Sequence, residues 1–291
     1  MDYRQFLNCV RSRVKEIMGE EVEVDIRHVI KNNGHELDGL TIMRSDSQGS
    51  PTIYLNGYYG QFCAGRSVDA IINEIIQTYE VNKESVKFSA EEFKNFENVK
   101  NRIIYKLINY DANKKLLEDI PFKRFLDLAV VFCVLVEQRK DGSAAALIHN
   151  SHMRLWNVTS DEICEIAKEN SPRLLPYRIT RLDDILGEEL DSESDADYMY
   201  VLSNESGIQG AACMLYDGIL QRFSQKFGSD IIIIPSSVHE VLLLPWKQQY
   251  DIQELNCLVK DINSNIVDAE EMLAQNVYIY CRDEQITVIA S

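Results

Sequence analysis

The chain has 291 residues, long enough for one large domain or two of ordinary size around a real core. Its 45% hydrophobic and 26% charged residues, with only 13 Gly and 6 Pro, exclude collagen-like, repetitive and broadly disordered classes. The 46 acidic residues against 30 basic ones give a formal charge of −16, a field that repels phosphate backbones and argues against nucleic-acid binding. The same field favours a basic protein as partner. It says nothing of oligomeric state.

The opening "MDYRQFLNCVRSRVKEIMGEE" carries charges throughout and has no continuous apolar core, so it does not read as a secretory signal. The longest apolar run, "FLDLAVVFCVLV" at 125–136, is too short for a membrane span and contains Asp127. Seven widely spaced cysteines with no Cys-x-x-Cys point to free thiols in a reducing cytoplasm rather than to zinc or dithiol chemistry.

Taken in chain order, residues 3–18 predict a helix with Tyr3, Phe6, Leu7, Val10, Val14 and Ile17 on one face and Gly19 at its end. "VEVDIRHVI" and "LTIMRS" predict paired strands around the turn chemistry of "KNNGHELDG". In "RSVDAIINEIIQTYE" an i, i+3, i+4 stripe runs from Val68 to Tyr79 behind a Ser67 N-cap. "GYYGQFCAG" at 57–65 is neither a G-x-G-x-x-G nor a Walker loop, and its aromatics are expected to pack against the neighbouring helix.

Beyond residue 101, "RIIYKLI" predicts a strand, "ANKKLLEDI" a short helix, and "LDLAVVFCVLV" with "SAAALIHN" a hairpin around "RKDG". Thr159 and Glu162 form a capping box, stapled by Val158 and Ile163, for a helix that Asn170 and Pro172 are expected to stop. "RLDDILGEELDSESDADY" holds eight acids between Asp183 and Asp197 and reads as a linker or exposed loop. "YMYVLS", "GAACML" and a helix over "YDGILQRFSQKFG" come next. Acid boxes at Asp251/Glu254 and Asp268/Glu271, stapled by Tyr250/Leu255 and Val267/Met272, then predict two helices. "VYIYCRDEQITVIA" closes as a hairpin. The order strand, helix, hairpin, helix occurs at 101–170 and again at 208–264, with little residue identity between the two.

The fold class expected is α+β: an N-terminal helix and hairpin region (1–97), an α+β region (98–180), an acidic linker (181–197) and a C-terminal α+β region (198–291), with mainly antiparallel sheets flanked by helices.

Candidate chemistry is sparse. In "IIIIPSSVHEVLLLP" (231–245), Ser237, His239 and Glu240 are the weak catalytic candidates. The zinc-helix motif fails because Leu243 stands where its second histidine belongs. The hydrolase elbow fails because Pro235 and Val238, not glycines, bracket the serines. A turn between two buried strands explains the stretch better. Asp127, inside an apolar run, is a further weak candidate, expected to form a structural ion pair with Lys106, Lys123 or Arg124. His149 and His152 are three residues apart, but no third metal ligand lies nearby. No cofactor motif is present, so none is expected.

The segments "GLTIMR", "PTIYLN", "LINYDANKKLLEDIPF", "FLDLAVVF", "GAACMLY", "PSSVHEVLLLP" and "VYIYCRDE", in that order, resemble an uncharacterised domain-of-unknown-function family of anaerobic Firmicutes. The second half more faintly resembles YtpQ-like proteins, through Ala167–Asn170 and Pro235. The resemblance implies a bacterial intracellular protein and transfers no catalytic residue. The expected function is a non-enzymatic interaction or accessory module, and the alternative is a hydrolase or small-molecule-binding protein whose site is assembled from distant residues.

Overall fold

The computed structural model describes residues 1–44, 50–83, 90–139, 142–187, 194–265 and 267–290. Two compact units divide the chain at Asn98/Val99, and both are built from antiparallel sheets with helices, an α+β architecture.

In the first unit, α1 (Tyr3–Met18) begins at Asp2, whose side chain accepts from Gln5 N while the Gln5 side chain accepts from Asp2 N. The predicted stripe buries Phe6, Val10 and Val14, whereas Ile17 on the same face, one turn further on, is 52% exposed. Strands β1 (Val22–Ile30) and β2 (Glu36–Arg44) pair from Val22↔Arg44 to Ile30↔Glu36, around a turn in which Asn33 and Gly34 both take positive φ. The short β3 (Ile53–Tyr54) completes the sheet beside β2.

"GYYGQFC" is itself helical, as α2 (Asn56–Cys63), and Tyr59 and Phe62 lie 5.4 and 5.6 Å from the Phe6 ring. Helix α3 (Val68–Asn82) starts at Ser67, whose hydroxyl accepts from Ala70 N, and buries Ile71, Ile72, Ile75 and Tyr79 into the same core. Each such side chain contributes about 1.5–3 kcal/mol by leaving water. Short helices α4 (Ala90–Lys94) and α5 (Phe96–Val99) follow in the chain.

The second unit holds two sheets. In the first, β4 (Ile103–Asn109) pairs along one side of the 12-residue β6 (Leu128–Arg139), while β5 (Phe122–Phe125) and β7 (Gly142–Leu147) share its other side. A bulge between Leu135 and Glu137 bends β6 in its pairing with β7. The connection from β4 to β5 contains α6 (Lys114–Leu117), and α7 (Asn150–Trp156) follows β7.

Helix α8 (Ser160–Leu174) begins as expected: Thr159 Oγ1 accepts from Glu162 N at 3.2 Å, and Glu162 accepts from Thr159 N at 2.7 Å. The bond from Thr159 N, and then one from the Thr159 hydroxyl, hold the Glu162 carboxyl below its usual range. Its end corrects the sequence reading, because the helix runs through Asn170 and Pro172 to Leu174. The last turn is held against β4 and the residues before it. Asn170 Nδ2 donates to Lys100 O, Ser171 Oγ accepts from Tyr105 N, and Arg173 donates to Asn101 O, all at 2.8–3.0 Å. Together these outweigh the one helical bond that proline cannot make.

The second sheet has the order β13-β12-β10-β11-β9-β8. Strand β8 (Tyr177–Arg181) precedes the acidic stretch and β9 (Tyr200–Asn204) follows it, yet the two pair directly, with α9 (Leu182–Leu186) starting where β8 ends. The remaining elements are α10 (Ile219–Phe227), β10 (Ile231–Ile234), β11 (Val241–Pro245), α11 (Ile252–Asn265), β12 (Tyr278–Cys281) and β13 (Ile286–Ile289).

Two further expectations fail here. Residues 210–215, which occupy the place of a strand in the second strand–helix–hairpin–helix run, form a buried 3-10 turn. The acid box at Asp268 starts no helix: its Glu271 N–H reaches Asp268 O, but the carbonyls of Glu271, Leu273 and Ala274 accept from Val238 N, Asn109 Nδ2 and Asn263 Nδ2. Tertiary donors have taken the carbonyls that helix continuation would use.

Thr159→Ala removes an N-cap acceptor and should lower stability by about 1 kcal/mol, read as a shift of the urea midpoint at unchanged slope.

Candidate functional site

The 235–240 stretch is a turn, closing the antiparallel pair β10–β11 with Ile234 opposite Leu242. Ile231–Ile234 are all buried, as are Val241, Leu243 and Leu244. Ser237 N donates to Glu240 O at 3.4 Å, and the Ser237 hydroxyl accepts from His239 N at 3.0 Å. The serines supply turn hydrogen bonds, as their type in this position predicts.

His239 is fixed on every side. Its Nδ1 accepts from Gln209 N at 3.2 Å, which leaves the ring proton on Nε2, and Nε2 lies 3.2 Å from the Glu271 carboxylate. Its carbonyl accepts from Ser203 Oγ at 2.7 Å. Both ring nitrogens are therefore committed, and neither is set to take a proton from Ser237. Sequence reasoning missed Ser203 and Gln209, which have no local signal, being 36 and 30 residues away, and it singled out Glu271 only as part of a helix cap.

The buried 3-10 turn meets this turn through its first two residues. Ala211 N donates to Val238 O, and a Cβ on Gly210 would sit 2.6 Å from both Asn204 N and His239 O. Only glycine fits this approach of three backbone segments. Beyond it Tyr105 and Tyr216 meet edge to face, with ring centroids 6.0 Å apart, and burial pushes the Cys213 thiol up to about 12. All seven cysteines are unpaired thiols, and Cys133 and Cys213 are buried.

Asp127 lies outside the strand in which the sequence reading placed it. It is the second residue of the two-residue turn between β5 and β6, after Leu126 at φ 53. Its carboxylate accepts from Tyr278 Oη at 2.7 Å and Asn276 Nδ2 at 2.9 Å. Lys123 pairs instead with Asp161, and the Arg124 guanidinium stacks on the Tyr110 ring. Burial drives the Tyr278 hydroxyl well above its ordinary range, with the Asp127 charge adding to it, so Tyr278 is a hydrogen-bond donor here and not an acid.

His149 and His152 come together at the start of α7. His149 Nδ1 contacts Asp119 at 2.7 Å, and His149 N donates to His152 Nδ1 at 3.0 Å. Because His152 Nδ1 is an acceptor, its neutral ring carries the proton on Nε2, so that nitrogen has no lone pair for a metal. Burial, and then the neighbouring His149, lower the His152 pKa. Among the described residues, no three His, Cys, Asp or Glu side chains converge as a metal site.

In the acidic stretch, Asp183 is buried against Arg181, which stacks on the Tyr198 ring. Asp195 and Asp197 pair with Lys226 and Lys247. Glu188, Glu189, Asp191 and Glu193 lie outside the described residues. In the first unit a groove of about 890 Å³ runs between α1 and the start of β1, lined by Arg11, Lys15 and Arg44 as well as Glu20, Glu21 and Glu23.

A family model described as a family of unknown function, DUF5688, matches residues 3–282. The chain belongs to this family. No curated protein and no solved structure matches it. The DUF5688 match thus spans nearly the whole chain. No helix among the described residues is long and apolar enough to cross a membrane.

Gly210→Ala should cost about 1–3 kcal/mol in urea unfolding, because besides the Ser203 hydroxyl two backbone atoms, Asn204 N and His239 O, block the new methyl and cannot swing aside. For Asp183, the Arg181 hydrogen bond and charge hold the carboxyl below its ordinary range near 3.9. Its contribution is therefore present above about pH 4 and is lost as pH falls through the depressed folded-state value. The midpoint difference between wild type and Asp183→Asn should be largest near pH 7 and shrink in acid; a difference independent of pH contradicts this.

Proposed function

We propose that the protein is a non-enzymatic interaction or accessory module whose acidic surface receives a basic protein. One observation carries the reading: the most reactive cluster, around His239, is used up in structural contacts, its ring nitrogens being committed to the Gln209 backbone N–H and the Glu271 carboxylate. Asp127 is likewise engaged by Tyr278 and Asn276. The surplus of acid, by contrast, is a property of the whole chain at −16. The reading takes the protein as bacterial and cytoplasmic, in keeping with its motifs and unpaired thiols. A small-molecule-binding role is the second reading, and the groove beside α1, with cations and carboxylates on its walls, is the observation in its favour.

Asp183, Asp195 and Asp197 already hold cations of their own chain, so the test is made on the other five acids of 183–197. Replacing Asp184, Glu188, Glu189, Asp191 and Glu193 by Ser or Asn leaves those ion pairs intact. Affinity capture from native lysate should recover a basic protein that the five-fold variant fails to hold. Its binding should also fade as salt rises past about 0.15 M, where the Debye length is about 8 Å. Capture that ignores both changes, or salt-sensitive retention of DNA or RNA by the unmodified protein, would sink the reading.

A further inference from the structure

Two sheet edges in this protein are closed by side chains, mostly from helices and in one case from the strand itself. At the outer edge of β1, Arg11 Nε donates to Val24 O at 3.2 Å, Lys15 Nζ donates to Val22 O, and the Asp25 carboxylate accepts from Ile26 N at 3.0 Å. At the outer edge of β4, Ser171 Oγ accepts from Tyr105 N at 3.0 Å and donates to Ala167 O at 2.6 Å. Unpaired edge amides and carbonyls invite another strand, and these plugs prevent it.

Strand β13 is treated differently. It ends the six-stranded sheet with β12 as its one strand neighbour among the described residues. Where an edge kept single would carry Lys, Pro or a plug, β13 carries Ile286 at 51% exposure and Ile289 at 39%. Its backbone polarity can be read off. Ala290 N donates to Val277 O at 2.8 Å, so by antiparallel alternation Val288 and Ile286 also face β12. Thr287 and Ile289 consequently turn their N–H and C=O groups outward, the pattern a seventh strand needs.

Building on the interaction role proposed above, we infer that β13 is the docking edge for an extended segment of a basic protein, bound by strand addition. Main-chain bonds to Thr287 and Ile289 supply the pairing, and Ile286 and Ile289, on opposite faces, supply the apolar contact. Charge selects the occupant. The chain is at −16, and the β12–β13 connection adds exposed Asp283 and Glu284 against a single cation, Arg282, which already pairs with Asp283. Lysines or arginines flanking the incoming strand complement that field, whereas a second copy of this acidic chain would oppose it.

The test uses the full chain and two variants. Thr287→Pro deletes one outward N–H and leaves the bonds to β12 in place. Ile289→Lys keeps every N–H but puts a cation on the edge. The probe is a fluorescent octapeptide of alternating Lys and Val, with a Glu–Val octapeptide as control, read by anisotropy. Circular dichroism establishes that each variant is folded, and if Thr287→Pro is not, Ile289→Lys carries the comparison.

The Lys–Val peptide should bind the unmodified chain in a salt-sensitive way and at least about tenfold more weakly to each folded variant. The Glu–Val peptide should not bind. Absence of Lys–Val binding, equal binding of both peptides, or undiminished binding by the folded variants overturns the proposal. The lysate capture separates the two readings. A salt-sensitive basic partner retained by Thr287→Pro and Ile289→Lys removes the edge and keeps the interaction role, while failure to recover any such partner removes that role.

Discussion

The second unit depends on a strap whose backbone is bonded to both side chains and main chain of other elements. Between Asp268 and Tyr278 the carbonyls of Leu273 and Ala274 accept from Asn109 and Asn263, and Val277 N donates to the Asn256 side chain. Glu271 O takes Val238 N, and the Tyr278 hydroxyl and Asn276 amide close on Asp127. Asn109 ends β4 and Asp127 lies in the β5–β6 turn of the four-stranded sheet, while Val238 lies in the β10–β11 turn of the six-stranded one. The strap therefore ties the two sheets through polar bonds of fixed length, where apolar packing alone would permit sliding.

That arrangement explains why the chemically suggestive residues are quiet. His239 positions the residue 209 amide and the Glu271 carboxylate at the strap's beginning, and Asp127 anchors its end. A buried polar group left unpaired costs about 1–3 kcal/mol, so side chains with several donors and acceptors are the economical way to satisfy crossing backbone segments. Histidine and aspartate are here for their hydrogen-bonding geometry.

What was legible in the sequence shares one property: both halves of each signal lie within a few residues. Thr159 with Glu162, Ser67 before its apolar stripe, the alternation of 22–30, and Pro235 with its serines each specify local backbone without help. The misses have the opposite property. Pro172 does not end α8 because residues 100–105 hold the last turn in place, and Asp268 starts no helix because Val238, Asn109 and Asn263 claim the carbonyls beyond it. Asp127 took neutral partners 149 and 151 residues away over lysines close by in sequence. For the candidate site, the turn could be read and its contents could not, since Ser203, Gln209 and Glu271 gain meaning only when the sheet forms.

Ser171 has a consequence for how the chain tolerates change. Its hydroxyl is at once the acceptor for a strand amide and a donor within its own helix, so it couples the angular setting of α8 to the register of β4. Turning the helix by a single residue, roughly 100°, would swing the hydroxyl off the strand. Helix and strand thus behave as a keyed shaft and bore, admitting one angular setting. Length variation in this part of the molecule is then confined to loops that do not pass through the key, and an insertion inside α8 ahead of Ser171 would have to be a whole number of turns to leave the fit intact.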